Sequence, residues 1–143
     1  MSSRQIEEGN ELKLDFNKLK VVSQSAEAVL PVVVQHIETS EVLILAYLSR
    51  EALQKSIELG EAVFYSTSRK ELWHKGSTSG DYLQLKEVLV NCEQNSLVFK
   101  VKPFKDGVCH TSGANGEKRK TCYYRRIKSS TLLEFIQPKE KKV

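Results

Sequence analysis

The stretch "GVCHTSGANGEKRKTCYYRR", Gly107 to Arg126, holds two of the chain's three cysteines and one of its three histidines. Cysteine is most often a small buried hydrophobe, yet Cys109 and Cys122 stand among glycine, threonine, lysine and arginine, with His110 directly after the first. The remaining cysteine, Cys92, lies upstream in "NCEQN"; sixteen residues separate it from Cys109, and twelve separate Cys109 from Cys122. Three cysteines cannot close a disulfide framework, which leaves buried thiols, a reactive thiol or metal ligands. No C-x-x-C knuckle is present, so a closed four-ligand zinc site is disfavoured. Three thiolates without an evident fourth ligand suit a zinc ion with one position open to water, the arrangement of a hydrolytic site. His110 is then a ready acid–base group beside it. Spacing alone does not choose between this and ordinary structural thiols.

Two further polar stretches could do chemistry. "NCEQN" carries oxygens at Asn91, Glu93 and Asn95, which share one face of an extended segment while Cys92 takes the other. Such a set could hold a hard cation such as Mg²⁺, although on spacing alone an ordinary polar turn is the better reading. "WHKGSTSGD", downstream of Arg69, offers Lys75, two glycines and the hydroxyls of Ser77, Thr78 and Ser79. Its backbone amides could cradle a phosphate, but it matches no P-loop or dinucleotide fingerprint and reads first as a polar loop. His36 sits in an apolar run and reads as structural; His74, beside Trp73 and Lys75, stays open.

These residues need elements to position them. "VLPVVVQHIET" and "VLILAYL" are apolar, β-rich runs with a short polar break, which predicts a β-hairpin. "SREALQKSIELG" predicts a helix: Ser49 is a good N-cap, Glu51 suits the first turn and Gly60 is a C-terminal stop. Leu48, Ala52, Leu53 and Ile57 would share its inner face. "AVFYST" reads as a strand, and "SRKELWHKGSTSGD" as a polar connection. "YLQLKEVLV" reads as a strand whose alternation slips between Leu85 and Val88, which predicts a bulge. "SLVFKVK" alternates with Leu97, Phe99 and Val101 on one face. "CYYRRI" and "TLLEFI" suggest two more strands. The sum is a strand-rich α+β single domain with one well-marked helix.

Composition agrees. The chain has 143 residues, 40% apolar and 28% charged, which suits one domain. Residues 1–11 are polar and read as a mobile start, 12–136 as the domain, and 137–143 as a basic tail. No apolar run is long enough to span a bilayer and no secretory leader is visible, so no membrane role and a cytoplasmic location are expected. Much of the basic excess behind the net charge of +4 lies in "KEKKV" and "GEKRKTCYYRRIK"; a basic tail is usually a solvated end, so nucleic acid is an unlikely partner on charge alone, and a local Lys/Arg cluster also suits anionic small molecules.

The blocks "VLILAYLSREAL", "AVFYSTSR..LW.KG.TSG", "NCEQNSL" and "CHT…CYYR", in this order over about Leu30 to Arg126, resemble the phosphoribosyl-AMP cyclohydrolases of histidine biosynthesis. The resemblance implies hydrolytic opening of the purine ring of 1-(5-phosphoribosyl)-AMP between N1 and C6. It implies one zinc per chain on Cys92, Cys109 and Cys122, His110 as the catalytic group, and Mg²⁺ at Asn91, Glu93 and Asn95. Arg69, Trp73, Lys75, Gly76, Thr78, Ser79, Gly80 and Arg125 would contact substrate, with the lysines and Arg119 facing its two phosphates. It further implies an intertwined homodimer whose zinc site draws ligands from both chains. The chain departs from the family pattern D-C-D-x-D at "NCEQN", which lowers the charge offered to Mg²⁺. It also has Ser77 and Asp81 where the family has Glu and His, and a longer, more basic loop between Cys109 and Cys122. Alternatives are a non-catalytic, zinc-stabilised relative that binds nucleotide or RNA, and a cyclohydrolase acting on another purine nucleotide.

Overall fold

The protein's computed structural model describes residues 2–105 and 107–137; the basic tail, apart from Gln137, lies outside the described residues. Two short helices, α1 (Ser3–Glu8) and α2 (Lys18–Ser23), precede strands β1 (Leu30–His36) and β2 (Val42–Leu48). Helix α3 (Arg50–Leu59), the hairpin β3 (Val63–Ser66) and β4 (Glu71–His74), and strands β5 (Leu83–Val90) and β6 (Leu97–Pro103) follow. A small hairpin, β7 (Arg125–Ile127) and β8 (Leu133–Phe135), ends the described chain.

The main sheet has the order β2-β1-β6-β5. β1 runs antiparallel to β2 and parallel to β6, and β5 is antiparallel to β6. Alternation decides which side chains of β1 and β6 enter the core: Val32, Val34, Leu97, Phe99 and Val101 are buried on one face, and Leu43 joins them where the β1–β2 register shifts. Phe64 of β3 closes that face, its ring 6.2 Å from Phe99 and 5.5 Å from Trp73. The fold is thus the α+β, strand-dominated single domain expected. The predicted bulge is present, as the β5–β6 register shifts between Leu85 and Glu87.

Helix α3 forms where its caps predict. The Ser49 side chain accepts from the Ala52 amide, and Gly60 ends the helix in the left-handed region at φ 68°. Its inner face differs from the expectation: Ile57 is exposed and Ser56 is buried. The Ser56 hydroxyl donates to Ala52 O or Val63 O and accepts from Val63 N, so a polar side chain stitches α3 to β3 without leaving a group unpaired.

A second correction concerns the segment read as a polar connection. Glu71–His74 is a strand, paired residue for residue with β3 from Val63↔His74 to Ser66↔Glu71. Tertiary pairing overrides a weak local signal here. The stretch 1–11, read as a polar start, carries from Ser2 the capped helix α1, and the chain beside it is bound to the far end: the Leu12 amide donates to Thr131 O and the Leu133 amide to Asn10 O.

Candidate active site

Cys109 and Cys122 leave the chain at different places and meet. The Cys109 amide donates to Arg119 O across the long loop, while the Cys122 amide donates to Leu43 O on the free edge of β2. Cys109 is only 2% exposed and Cys122 is half-buried, so the polar sequence around Cys109 does not predict its burial. The Cys122 thiol close by, helped by Thr111 and His110 against the opposing effect of burial, draws Cys109 down to about 5. The Cys109 sulfur and burial together push Cys122 up. Two adjoining cysteine sulfurs are a soft donor set suited to zinc.

Cys92 does not join them. It is exposed, in the turn between β5 and β6. Cys122 hangs from the β2 edge, and two strand spacings, about 10 Å, lie between β2 and β6. Along the strands, Leu43 neighbours the Val34–Phe99 level, whereas Cys92 lies beyond Leu97, at the other end. Sulfurs sharing a zinc ion sit about 4 Å apart, so one chain does not assemble the three. Among the described residues no group of three His, Cys, Asp or Glu side chains could hold a metal ion. A depression of about 240 Å³ is lined by His36, Glu41, Leu43, Lys102, Val108 and Lys120, and by none of the sequence-predicted site residues.

The "NCEQN" turn folds differently from an extended segment. Gln94 takes φ 56°, and Asn91 Oδ1 accepts from the amides of Asn95 and Ser96 at 2.9 Å each. Asn91 Nδ2 donates to Asn95 Oδ1, and Asn95 Nδ2 donates to Glu93 Oε2. The three polar side chains converge, but they close the turn. One full charge and two already engaged carbonyls fit Mg²⁺ poorly.

Around the thiol pair the loop between β4 and β5 contributes Lys75, 7% exposed and 5.7 Å from the Trp73 ring centroid. Burial lowers the Lys75 ammonium from its ordinary 10.5; Asp81 opposes this and Lys118 adds to it. Gly76 permits the tight return: at φ 95° a Cβ would meet the Tyr82 amide nitrogen at 2.4 Å. The amides of Ser77, Gly80 and Asp81 are bonded within the turn, to His74 O, Gly76 O and Ser79 Oγ, so they do not form the phosphate cradle suggested by composition. Thr78 and Ser79 lie on this turn, and Arg69 stacks on the outer side chain of Trp73 at 5.9 Å. His74 pairs with Glu61 at 3.3 Å, and His36 Nδ1 accepts from the Glu38 and Thr39 amides, so both are structural.

Two departures noted in the sequence meet here. Asp81, 4% exposed, is ion-paired with Lys118 of the long loop. The Lys118 stem lies against Gly107, where a Cβ would approach it to 2.4 Å. Nothing in the sequence linked these positions, 37 residues apart. Asp81→Asn should destabilise the protein by about 1–3 kcal/mol at pH 7, because it leaves Lys75 and Lys118 facing each other without their carboxylate. The Lys118 bond holds the Asp81 carboxyl below its ordinary 3.8. Its contribution is therefore present above that value and is lost as pH falls through the lower folded value. Urea midpoints of wild type and variant should converge in acid; a constant gap down to pH 2 would show that the pair contributes nothing.

Arg119 requires another correction. It is not directed at a substrate: its guanidinium makes a bidentate pair with Glu8 at 2.7 and 2.8 Å, donates to Thr111, and lies 4.0 Å from the Tyr124 ring centroid. Arg125 donates to Gly9 O at 2.8 Å and stacks on the same ring. Glu7 and Glu8, overlooked in the sequence, are the partners of His110 and Arg119; the doublet in "RQIEEGN" is too common a pattern to signal this.

Adjoining thiols, a histidine on the next residue and a buried lysine equip an enzyme of the hydrolase class. Comparison with known proteins narrows this: residues 44–126 match the phosphoribosyl-AMP cyclohydrolase family, and the chain belongs to that family. The phosphoribosyl-AMP cyclohydrolase of Cupriavidus necator is 37% identical over 109 residues, 76% of this chain and 77% of that protein. That of Haloarcula marismortui is 42% identical over 107 residues, 75% of this chain and 83% of its own length. The histidine biosynthesis bifunctional protein HisIE of Aquifex aeolicus is 39% identical over 121 residues, and the chain spans about half, 52%, of its length.

Proposed function

We propose that the chain hydrolyses phosphoribosyl-AMP in histidine biosynthesis, as a cytoplasmic homodimer whose zinc sites each combine Cys109 and Cys122 of one chain with Cys92 of the partner subunit. The observation that carries this reading is the split of the cysteines: two adjacent thiols deep beside Lys75, and a third exposed on a distant hairpin turn. An apolar row across the outer sheet face, Leu45–Val33–Val98–Leu89 in register, with Leu45 and Leu89 exposed, supports association through burial. Among the described residues no helix is long and apolar enough to cross a membrane.

Cys109, Cys122 and Cys92 of the partner subunit would hold the zinc, which would supply a Lewis acid to acidify water. The protein's own groups do the rest. His110 accepts a proton as water adds to C6 of the purine and returns one to N1 as the N1–C6 bond breaks, leaving the carboxamide. Lys75, its ammonium 5.7 Å from the Trp73 ring centroid, places a positive charge near the thiol pair for an anionic substrate group. Ring opening of phosphoribosyl-AMP by purified protein, followed by its ultraviolet change alongside zinc analysis, tests the reading. A folded, zinc-loaded protein without turnover would leave only a binding role.

Magnesium is a weak secondary partner in this proposal. Activity should need more Mg²⁺ than an all-aspartate turn would, and Asn91→Asp with Asn95→Asp should lower that requirement by adding charge at constant size. The same Mg²⁺ titration curve for both proteins would make "NCEQN" a purely structural turn.

A further inference from the structure

His110 stands on a loop with its ring 77% exposed. A surface imidazole on a loop samples several rotamers, whereas proton transfer needs one of its nitrogens aimed at the reacting atom. In the structure His110 Nε2 lies 3.1 Å from Glu7 Oε1, a contact across 103 residues of sequence. A carboxylate only accepts, so the ring nitrogen facing it carries the hydrogen, and Nδ1 is left with the free lone pair.

We propose that Glu7 is a positioning residue for His110, fixing its ring and its Nε2–H tautomer so that Nδ1 is the nitrogen that exchanges protons with water and substrate. This rests on the assignment of His110 as the acid–base group. What sets Glu7 in place is a chain of polar anchors, because α1 buries no side chain and six residues do not make a stable helix alone. A capping box joins Ser2 and Gln5 at its start. The Tyr124 hydroxyl donates to Glu7 O at 2.7 Å, Arg119 grips the neighbouring Glu8, and Arg125 holds Gly9 O. Tyr124 and Arg125 stand two and three residues after Cys122, and Arg119 bonds the Cys109 backbone, so the helix is tied to the same loop that carries both thiols and His110. Glu7 also precedes the segment that matches the family, which begins at residue 44.

An exposed acid–histidine pair adds little to stability, so the effect should appear in turnover and in the ring itself. Glu7→Ala should lower kcat about 10–100-fold, the usual cost of losing a group that orients a functional histidine, with KM within about twofold of wild type because Glu7 does not touch substrate. Glu7→Gln, which keeps an acceptor oxygen but no charge, should lie between the two. In a His110→Ala background the Glu7→Ala change should have no further effect, since it has no ring left to orient. Glu8→Ala removes an anchor of α1 without touching His110 and controls for simple loosening of the helix. The ¹⁵N spectrum of the His110 ring needs no turnover: wild type should show the Nε2–H tautomer alone, and Glu7→Ala a mixture of both. An unchanged or raised kcat in Glu7→Ala overturns the proposal, the latter by making α1 an inhibitory strap. An equal loss in the His110→Ala background, or mixed tautomers in wild type, also overturns it. Failure of the proposed activity would show separately, as a wild type without turnover whose His110 ring still follows Glu7.

Discussion

Serine at Cys109, Cys122 or Cys92 should strip the protein of zinc and abolish turnover, with the first two also leaving their partner thiol unsupported. Oxygen of a serine hydroxyl is a poor zinc ligand at neutral pH, and three protein ligands leave no redundancy: losing one leaves a two-ligand site. Zinc per chain, measured after brief chelator challenge, should fall from about one to under about one tenth. Cys92→Ser separates ligation from packing. Cys92 is exposed in a turn, so its replacement should leave the urea midpoint of metal-free protein unchanged, whereas Cys109 is buried with Thr111 bonded to its sulfur at 3.0 Å. Full zinc in Cys92→Ser would restrict the metal site to the Cys109–Cys122 pair and remove the main reason for a shared centre.

Features whose determinants are local were legible in the sequence. Helix α3 carries its own start and stop at Ser49 and Gly60, the β1–β2 hairpin is two apolar runs around a polar break, and the slip near Leu85 marks the bulge. Features set by distant partners were hidden. Strand β4 exists because β3 pairs with it and Trp73 meets Phe64, and "ELWH" shows neither. Ile57 looked inward on hydrophobicity, but Ser56 can be buried because Val63 satisfies its hydroxyl. In the site, each cysteine and His110 stood out by type and neighbours. Their grouping did not, because sheet order decides that Cys122 lies at the β2 edge and Cys92 in the β5–β6 turn. Arg119 looked like a free cation for phosphate until Glu8, 111 residues away, was found on it. Charge along a chain reports what a residue could bind and not what already binds it.

The separation of Cys92 from the other two thiols leads to the most demanding expectation, which needs only two inactive proteins. Cys92→Ser lacks a zinc ligand and should be silent, and His110→Ala lacks its proton-transfer group and should keep only a residual rate, about 10²–10⁴-fold below wild type. If a site takes Cys92 from one chain and Cys109, His110 and Cys122 from the other, a mixed dimer contains one site with both lesions and one with neither. The second site should work at its normal rate. Each mixed dimer then regains about half the activity of a wild-type dimer, and random exchange at equal concentrations gives about a quarter for the whole pool. Zinc follows the same arithmetic: the intact site of the mixed dimer holds its metal and the doubly altered site does not. Two variants carrying their lesions on the same side, Cys109→Ser and His110→Ala, provide the contrast. Mixing them leaves one defect in each site of every dimer, so no activity should return. Recovery in the first mixture and none in the second requires a site built from two chains. With subunit exchange verified by mass, silence in both mixtures would mean that each site is built within one chain, and that Cys92 reaches the thiol pair only after a rearrangement of the β5–β6 turn.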